Sequence, residues 1–482
     1  MAQKEYAEFL EKTKKIYLIH AIQELLYWDI ETQMPKDEIQ AKAMQINLLA
    51  QVSYDEITSK ELGKLIKKID SKKLSKDERC NYLEIKKEHE REIKVPKKLV
   101  LKLKDATVKA TQAWKDARDK NDFKLFEREL REMIKLKRER AKKINPKKKP
   151  YEVLFEDYEE DITYTDAKKL IINTYRELES LIKKADIKNK KEPREIDRRI
   201  QKEVLIKILK DIQYDFKKGR IDKSRHPFTT NPSFGRITTR YSDGWLLALL
   251  STIHEAGHAL YEQGLPLKHY ATPRGTSKGM SMHESQSRIW ENHVGRSKEF
   301  WEHYYKDIKK KYELKDTLKE FLKKRYTPKR DYIRVNADEL TYIAHILIRM
   351  EIEEALINNK LKVKDAKKKW NELTEKYLGL KPSNDNEGIL QDIHWASGDF
   401  GYFPTYLIGS IIAAQLFQYA NKEIKLEKKF KEGKFKELLM WLRENIHEHG
   451  RKYTAQEIVK KATGENITNK YFIEHIKKRY KK

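Results

Sequence analysis

Two short runs of the chain carry side chains that together can hold a metal ion and activate water. The first is His254-Glu255-Ala256-Gly257-His258. On a helix, positions i and i+4 lie one turn apart on the same face, so both imidazoles can reach one cation. Glu255 follows the first His and points to the neighbouring flank, where its carboxylate can act as the base for water without ligating the metal. By composition alone such a pattern arises in roughly one chain in thirty of this length, so the second run carries weight. It is Met282-His283-Glu284-Ser285-Gln286, and it follows a loop of the right size to fold back. A hydrolytic zinc-type site takes three protein ligands and keeps one open position, and a carboxylate is the usual third partner of two His. Glu284 fits, 284 − 258 = 26 residues after the second His. His269 and His283 are also chemically possible ligands, whereas Glu262 would crowd all three along one helix.

These residues need helices to position them, and the sequence supplies the pattern. Residues 245–263 have helical periodicity and stop at Gly264 and Pro266, a usual helix end. A loop over 273–279 precedes a second helix beginning near Met280. Before them, residues 1–144 read as a series of amphipathic helices, as with Leu125, Leu130, Met133 and Ile134 set among charged residues. Asn145-Pro146 with Pro150, and Pro193 in the charged run 188–194, mark surface connections. From Arg225 the composition changes. His226-Pro227-Phe228-Thr229-Thr230 and Arg236-Ile237-Thr238-Thr239-Arg240-Tyr241 read as short strands or extended segments. Residues 380–388 form the last clear loop before a terminal helical region. With 17 Gly and 12 Pro in 482 residues, helix breakers are scarce. The expectation is a mainly α, large single domain, with a helical front part over 1–224 and the metal site carried by 225–482.

Charge bounds the partners. The chain holds 104 Lys and Arg against 76 Asp and Glu, a formal charge of +28, which could attract polyanions. Lys and Glu are interspersed along nearly every segment, however, as on solvated helix faces and in heat-adapted proteins, and no nucleic-acid-binding motif accompanies the charge. No nucleic-acid partner is expected. The single cysteine, Cys80, suits a reducing compartment. The amino terminus lacks a signal-peptide pattern and no run of 18 apolar residues occurs, so the expectation is a cytoplasmic protein without a membrane partner.

The motifs in order closely resemble the carboxypeptidase Taq family of metallocarboxypeptidases. The resemblance includes His226-Pro227-Phe228, the segment from Arg236 to Tyr241, both His/Glu runs, and Ile333-Arg334 with Ala337-Asp338-Glu339. It continues through Gly388 with Gln391-Asp392-Ile393-His394-Trp395 and Gly401-Tyr402-Phe403-Pro404-Thr405-Tyr406. Weaker matches reach forward to Trp28-Asp29 and Trp114, so nearly the whole chain is covered. The resemblance implies a mainly α-helical fold with a small β-sheet beside a deep active-site groove, a homodimer, and removal of single residues from peptide carboxyl ends. It also implies Glu284 as third ligand of one divalent metal per chain. Zinc is the default for that ligand set, and cobalt or manganese can also occupy it. Two departures stand out: Phe234 replaces the Asp usual ahead of Arg236, and Asn336 the Glu common after Arg334.

A carboxypeptidase must recognise a free terminal carboxylate, and a planar guanidinium meets both oxygens at once. On the resemblance, Arg334 is the candidate, assisted by the Tyr406 hydroxyl, with Tyr402 as its competitor. His226, His394 and Arg236, in the matched segments, are further substrate-binding candidates, each His being equally readable as a buried structural group. Two other readings compete: a metal-dependent endopeptidase, since the two-His helix is common to many, and a basic helical binding protein with a structural metal.

Overall fold

The structure, a computed structural model, describes residues 2–187, 195–230, 233–241 and 244–480. The connection expected over 188–194 lies outside the described residues. Helices dominate. Four form the front of the chain: α1 (Ala2–Thr32), α2 (Ile39–Ile57), α3 (Lys60–Lys68) and α4 (Lys76–Glu92). Next come α5 (Lys97–Lys120), α6 (Lys124–Ile144), α7 (Pro150–Phe155), α8 (Tyr164–Lys184) and α9 (Arg198–Asp211). The helices of the site region are α10 (Trp245–Gly264), α11 (Met280–Arg288), α12 (Lys298–Lys311), α13 (Leu318–Arg325) and α14 (Glu339–Ile357). The chain ends with α15 (Ala366–Leu378), α16 (His394–Ser397), α17 (Phe403–Ile424), α18 (Leu426–Lys431), α19 (Lys436–Asn445), α20 (Ala455–Thr463) and α21 (Lys470–Arg479).

Local signals explain where several of these begin and end. Ser75 with Glu78, Thr317 with Glu320 and Thr454 with Glu457 form capping boxes that satisfy the first free N–H groups of α4, α13 and α20. Pro150 sits in the first turn of α7, where its missing N–H costs nothing. Gly379 ends α15 with a left-handed φ of 63°.

The strands are few and short. β1 (Asp186–Ile187) pairs in parallel with β4 (Lys329–Arg330), and β2 (Ile221–Lys223) with β3 (Ile237–Thr239). Of the two segments expected to be extended, 236–241 contributes β3, while 226–230 makes one isolated bridge, from Thr229 to Ile237. β3 packs on α10, so this small sheet lies beside the two-His helix.

Two apolar cores are present. One gathers Phe9, Ile16, Leu62 and Ile85 from α1, α3 and α4. The other is far larger and runs from Val95 to Tyr480, on both sides of residue 225. At its centre α10, α14 and α17 are buried on nearly all faces, as helices apolar around most of their circumference are. Among the described residues no helix is long and apolar enough to cross a membrane.

Candidate metal and peptide site

Helix α10 presents His254 and His258 one turn apart, their ring centres 4.8 Å from each other. Helix α11 crosses close enough for Glu284 to join them, because a glycine stands at each tight contact. A Cβ at Gly257 would lie 2.6 Å from Ser287 Cα on α11, and one at Gly409 of α17 would lie 2.8 Å from Glu284 Cβ. Glu284 is thus held between two helices with no room to swing away.

Glu284 Oε2 lies 3.7 Å from His254 Nε2 and 3.5 Å from His258 Nε2. Ligands at bonds of ~2.1 Å in a tetrahedron stand roughly 3.4 Å apart, so the spacing suits a single cation. Among the described residues this trio is the one His, Cys, Asp or Glu group of three or more whose ligand atoms converge, all within 4.8 Å. The donor set, two imidazoles and a carboxylate, matches what zinc-type hydrolytic sites use. The other third-ligand candidates are engaged elsewhere. Glu262 accepts from the Ser233 N–H and pairs with His283 Nε2 at 3.0 Å, while His269 faces Asp77 at 3.2 Å.

Around the trio lies a set of charged partners. His254 Nδ1 is 2.9 Å from Glu291 Oε2, an arrangement that turns Nε2 toward Glu284. Glu291 lies in the π-helical continuation of α11 (Ile289–Gly295), a distortion frequent at functional sites. Arg288 donates to Glu284 Oε1 at 2.6 Å and to Glu291 Oε2 at 2.9 Å, and Arg296 donates to Glu291 Oε1 at 2.8 Å. Burial pushes the Glu284 carboxyl up, but Arg288 and His254 outweigh it and hold the group well below the usual carboxylate range. Burial, with His283 stacked at 4.4 Å, pushes His258 down to about 3. Both groups are therefore in their ligating forms at neutral pH.

Glu255 is buried, and the Thr229 hydroxyl donates to its Oε2 at 2.6 Å. Burial raises its carboxyl above the ordinary value, the direction that makes a carboxylate a better proton acceptor.

Arg334 is 8 % exposed and tied from one side. Its Nε and Nη2 reach Asp392 Oδ1 at 3.0 and 2.9 Å, and Nη1 donates to the Tyr342 hydroxyl at 2.8 Å. Arg349 holds the other oxygen of Asp392 at 2.6 Å. On the open side, Arg334 Cζ lies 5.2 Å from the Tyr406 ring, and the Tyr406 hydroxyl lies 3.2 Å from His394 Nε2. Burial lowers His394 to about 3 despite Asp392 nearby. The Tyr342 ring also lies 5.0 Å from Arg288, so contacts run from Glu284 through Arg288 and Tyr342 to Arg334.

The remaining candidates are placed differently. His226 is exposed, and its carbonyl accepts from the Ser224 hydroxyl. Arg236 lies over the Trp28 ring at 4.6 Å, with Arg220 at 5.1 Å from the same ring. Phe234, which departs from the family pattern, is 44 % exposed and packs against Tyr270. Sequence reasoning passed over Arg288, Glu291, Tyr342 and Thr229. For the first two a signal existed, since Glu284, Arg288 and Glu291 fall at i, i+4 and i+7, on one helix face.

Over residues 8–480 the chain matches the carboxypeptidase Taq (M32) metallopeptidase family. It is 35% identical to Carboxypeptidase 1 of Bacillus subtilis, covering 98% of this chain and 97% of that protein. It is also 35% identical to Thermostable carboxypeptidase 1 of Pyrococcus furiosus, with 98% of each covered. In fold it is similar to the crystal structure of the M32 carboxypeptidase from Deinococcus radiodurans R1, with a TM-score of 0.92 at 30% identity over 99% of each chain. Likeness of this extent, in sequence and in three dimensions alike, means that the chain belongs to the carboxypeptidase Taq (M32) family: it is a metal-dependent carboxypeptidase, a hydrolase of peptides.

Proposed function

We propose that His254, His258 and Glu284 hold the divalent cation, that Glu255 is the catalytic base, and that Arg334, with Tyr406 and His394, receives the terminal carboxylate of the peptide. The observation that carries this reading is the convergence of Glu284 Oε2 on both imidazole Nε2 atoms at 3.5 and 3.7 Å. A bound zinc ion, or cobalt or manganese in its place, polarises a carbonyl and acidifies water. Glu255 takes a proton from the attacking water and passes it to the leaving amine. The Thr229 hydroxyl fixes the oxygen it donates to and leaves Glu255 Oε1 for that transfer. Arg334 has five N–H donors, of which two go to Asp392 and one to Tyr342. The other two match a carboxylate. His394, kept neutral, and the Tyr406 hydroxyl stand beside it to orient the last peptide unit. Arg236, over Trp28, and the exposed His226 then belong to a more distant part of the peptide path.

The reaction so described releases single residues from the carboxyl end. The test is a digest of a defined peptide by the metal-loaded protein, followed by mass. Stepwise loss from the carboxyl end is expected, with resistance once that end is amidated; internal cuts would overturn the assignment of Arg334. We further propose a cytoplasmic homodimer that tolerates heat. The lone thiol fits a reducing compartment, and Lys–Glu and Lys–Asp surface pairs such as Lys478 with Glu427 favour heat tolerance. The apolar face of α1 and α2, where Ile22, Ile39, Met44 and Leu48 are 48, 48, 74 and 61 % exposed, suits a second copy of the chain. Sedimentation of the parent and of Met44→Lys/Leu48→Lys should give dimer and monomer respectively; an unchanged mass would reject that face.

A further inference from the structure

Behind the metal trio, a small cavity opens where the ends of α13 and α21 meet the start of α10. Its volume is about 20 Å³, room for one water-sized species and too little for a phosphate or a carboxylate ligand. Three guanidinium groups line it, those of Arg296, Arg325 and Arg479, together with the phenols of Tyr326 and Tyr480. The other walls are Leu246, Leu250 and Trp301. Among the described residues no carboxylate lines it, and guanidinium groups can only donate.

Several of these donors are spare. Arg296 uses Nε on Asn292 and Nη2 on Glu291, which leaves Nη1. Arg479 uses Nη1 on the Asn292 carbonyl and on Glu339, which leaves its Nε and Nη2. Arg325, an exposed residue at the mouth of the cavity, makes no hydrogen bond or ion pair, and the buried Tyr480 hydroxyl no hydrogen bond, to any described residue. Tyr326 is committed, donating to the Arg296 carbonyl at 3.1 Å. The carboxylates that balance these charges, Glu291, Glu339 and the nearby Asp338, stand outside the cavity and are shared: Glu291 with Arg288 and His254, and Glu339 with His475.

From this lining and this size we infer that the cavity is a binding site for one monatomic anion of the halide class, chloride in the cell. Donors converging from three elements replace the hydration shell of the ion, while Leu246, Leu250 and Trp301 exclude bulkier and better-hydrated oxyanions. The site does not depend on which residues hold the metal. It touches the same network all the same, because Arg296 also holds Glu291, the carboxylate at His254 Nδ1.

Bromide is the probe. Crystals of the metal-loaded protein grown in sodium bromide should show an anomalous peak within hydrogen-bond range of Arg325 and Arg296. In solution, chloride or bromide should raise the unfolding midpoint saturably over gluconate at equal ionic strength, and Arg325→Gln and Tyr480→Phe should each weaken that rise. Three results overturn the inference: an anomalous map blank at the cavity, equal midpoints in halide and gluconate, or a halide effect undiminished in both variants, which would place the ion elsewhere.

Discussion

Glu255 and the trio sit within a few ångströms of one another, yet their removal should have different signatures. Glu255→Gln keeps the size and the Thr229 contact but cannot take a proton, so turnover should fall about 10²- to 10⁴-fold while metal content by elemental analysis stays near one per chain. Near-normal turnover would reject Glu255 as base. Glu291→Ala leaves all three ligands in place but removes the acceptor at His254 Nδ1 and a partner of Arg288 and Arg296. Outer partners of this kind are worth roughly 10- to 100-fold in metal affinity. Competition with a chelator measures it, and an unchanged affinity would make Glu291 purely structural. At this scale the sequence was informative where a rule of spacing exists, as for His254 and His258. It was silent on orientation, since membership in a motif does not say whether Arg236 turns to the metal or to Trp28.

Glu284 was the harder residue to read because its place depends on how closely three helices approach. That approach rests on two missing side chains, at Gly257 and Gly409, and no spacing along the chain encodes it; the resemblance supplied what the spacing left open. The two glycines should fail differently. At Gly257 an added methyl meets backbone atoms of α11, Ser287 Cα at 2.6 Å and Gln286 O at 2.8 Å, which cannot rotate aside. Overpacking of this sort costs ~1–3 kcal/mol, against a helix-propensity gain of about 1 kcal/mol for Gly to Ala. Gly257→Ala should therefore lower the unfolding midpoint even without metal. At Gly409 the methyl meets Glu284 Cβ and Cγ at 2.8 Å and Ser281 O at 3.0 Å, so it pushes on the ligand residue itself. Gly409→Ala should lower the unfolding midpoint as well, and in addition cost metal affinity on the order of tenfold, as loss of an outer partner does, which Gly257→Ala should not. Identical behaviour of the two variants would contradict this division of labour.

For the molecule as a whole, the scarcity of glycine and proline already implied long helices, and the amphipathic stripes located most of them. What stayed hidden is non-local: the satellite core of α1, α3 and α4, the parallel pairing of β2 with β3, and the buried acids that stitch distant segments together. Glu353 on α14 accepts from the Tyr151 hydroxyl at 2.9 Å, Trp395 Nε1 at 2.9 Å and the Gly401 N–H at 3.0 Å. Glu159 accepts from the N–H and hydroxyl of Ser281, both at 2.7 Å, at the start of α11. No cation pairs with either carboxylate among the described residues. Burial pushes both up to about 8, outweighing the donors that favour the charged form. A folded-state value above the unfolded one means that the folded protein holds protons the unfolded chain has released. Stability from these groups is thus complete below the ordinary carboxyl value of about 4.5 and is lost as pH climbs toward 8. The metal acts in the opposite sense, since its imidazole ligands bind better as pH rises, so the comparison must be made between variants at equal metal loading. Glu353→Gln stays neutral at every pH but turns an amide N–H toward donors, which lowers the midpoint throughout. Between pH 6 and 9 the parent should lose stability faster than Glu353→Gln, so that their melting curves draw together as pH rises; two parallel lines across that window would mean that Glu353 is already ionised in the fold and that its three donors, not burial, set its charge.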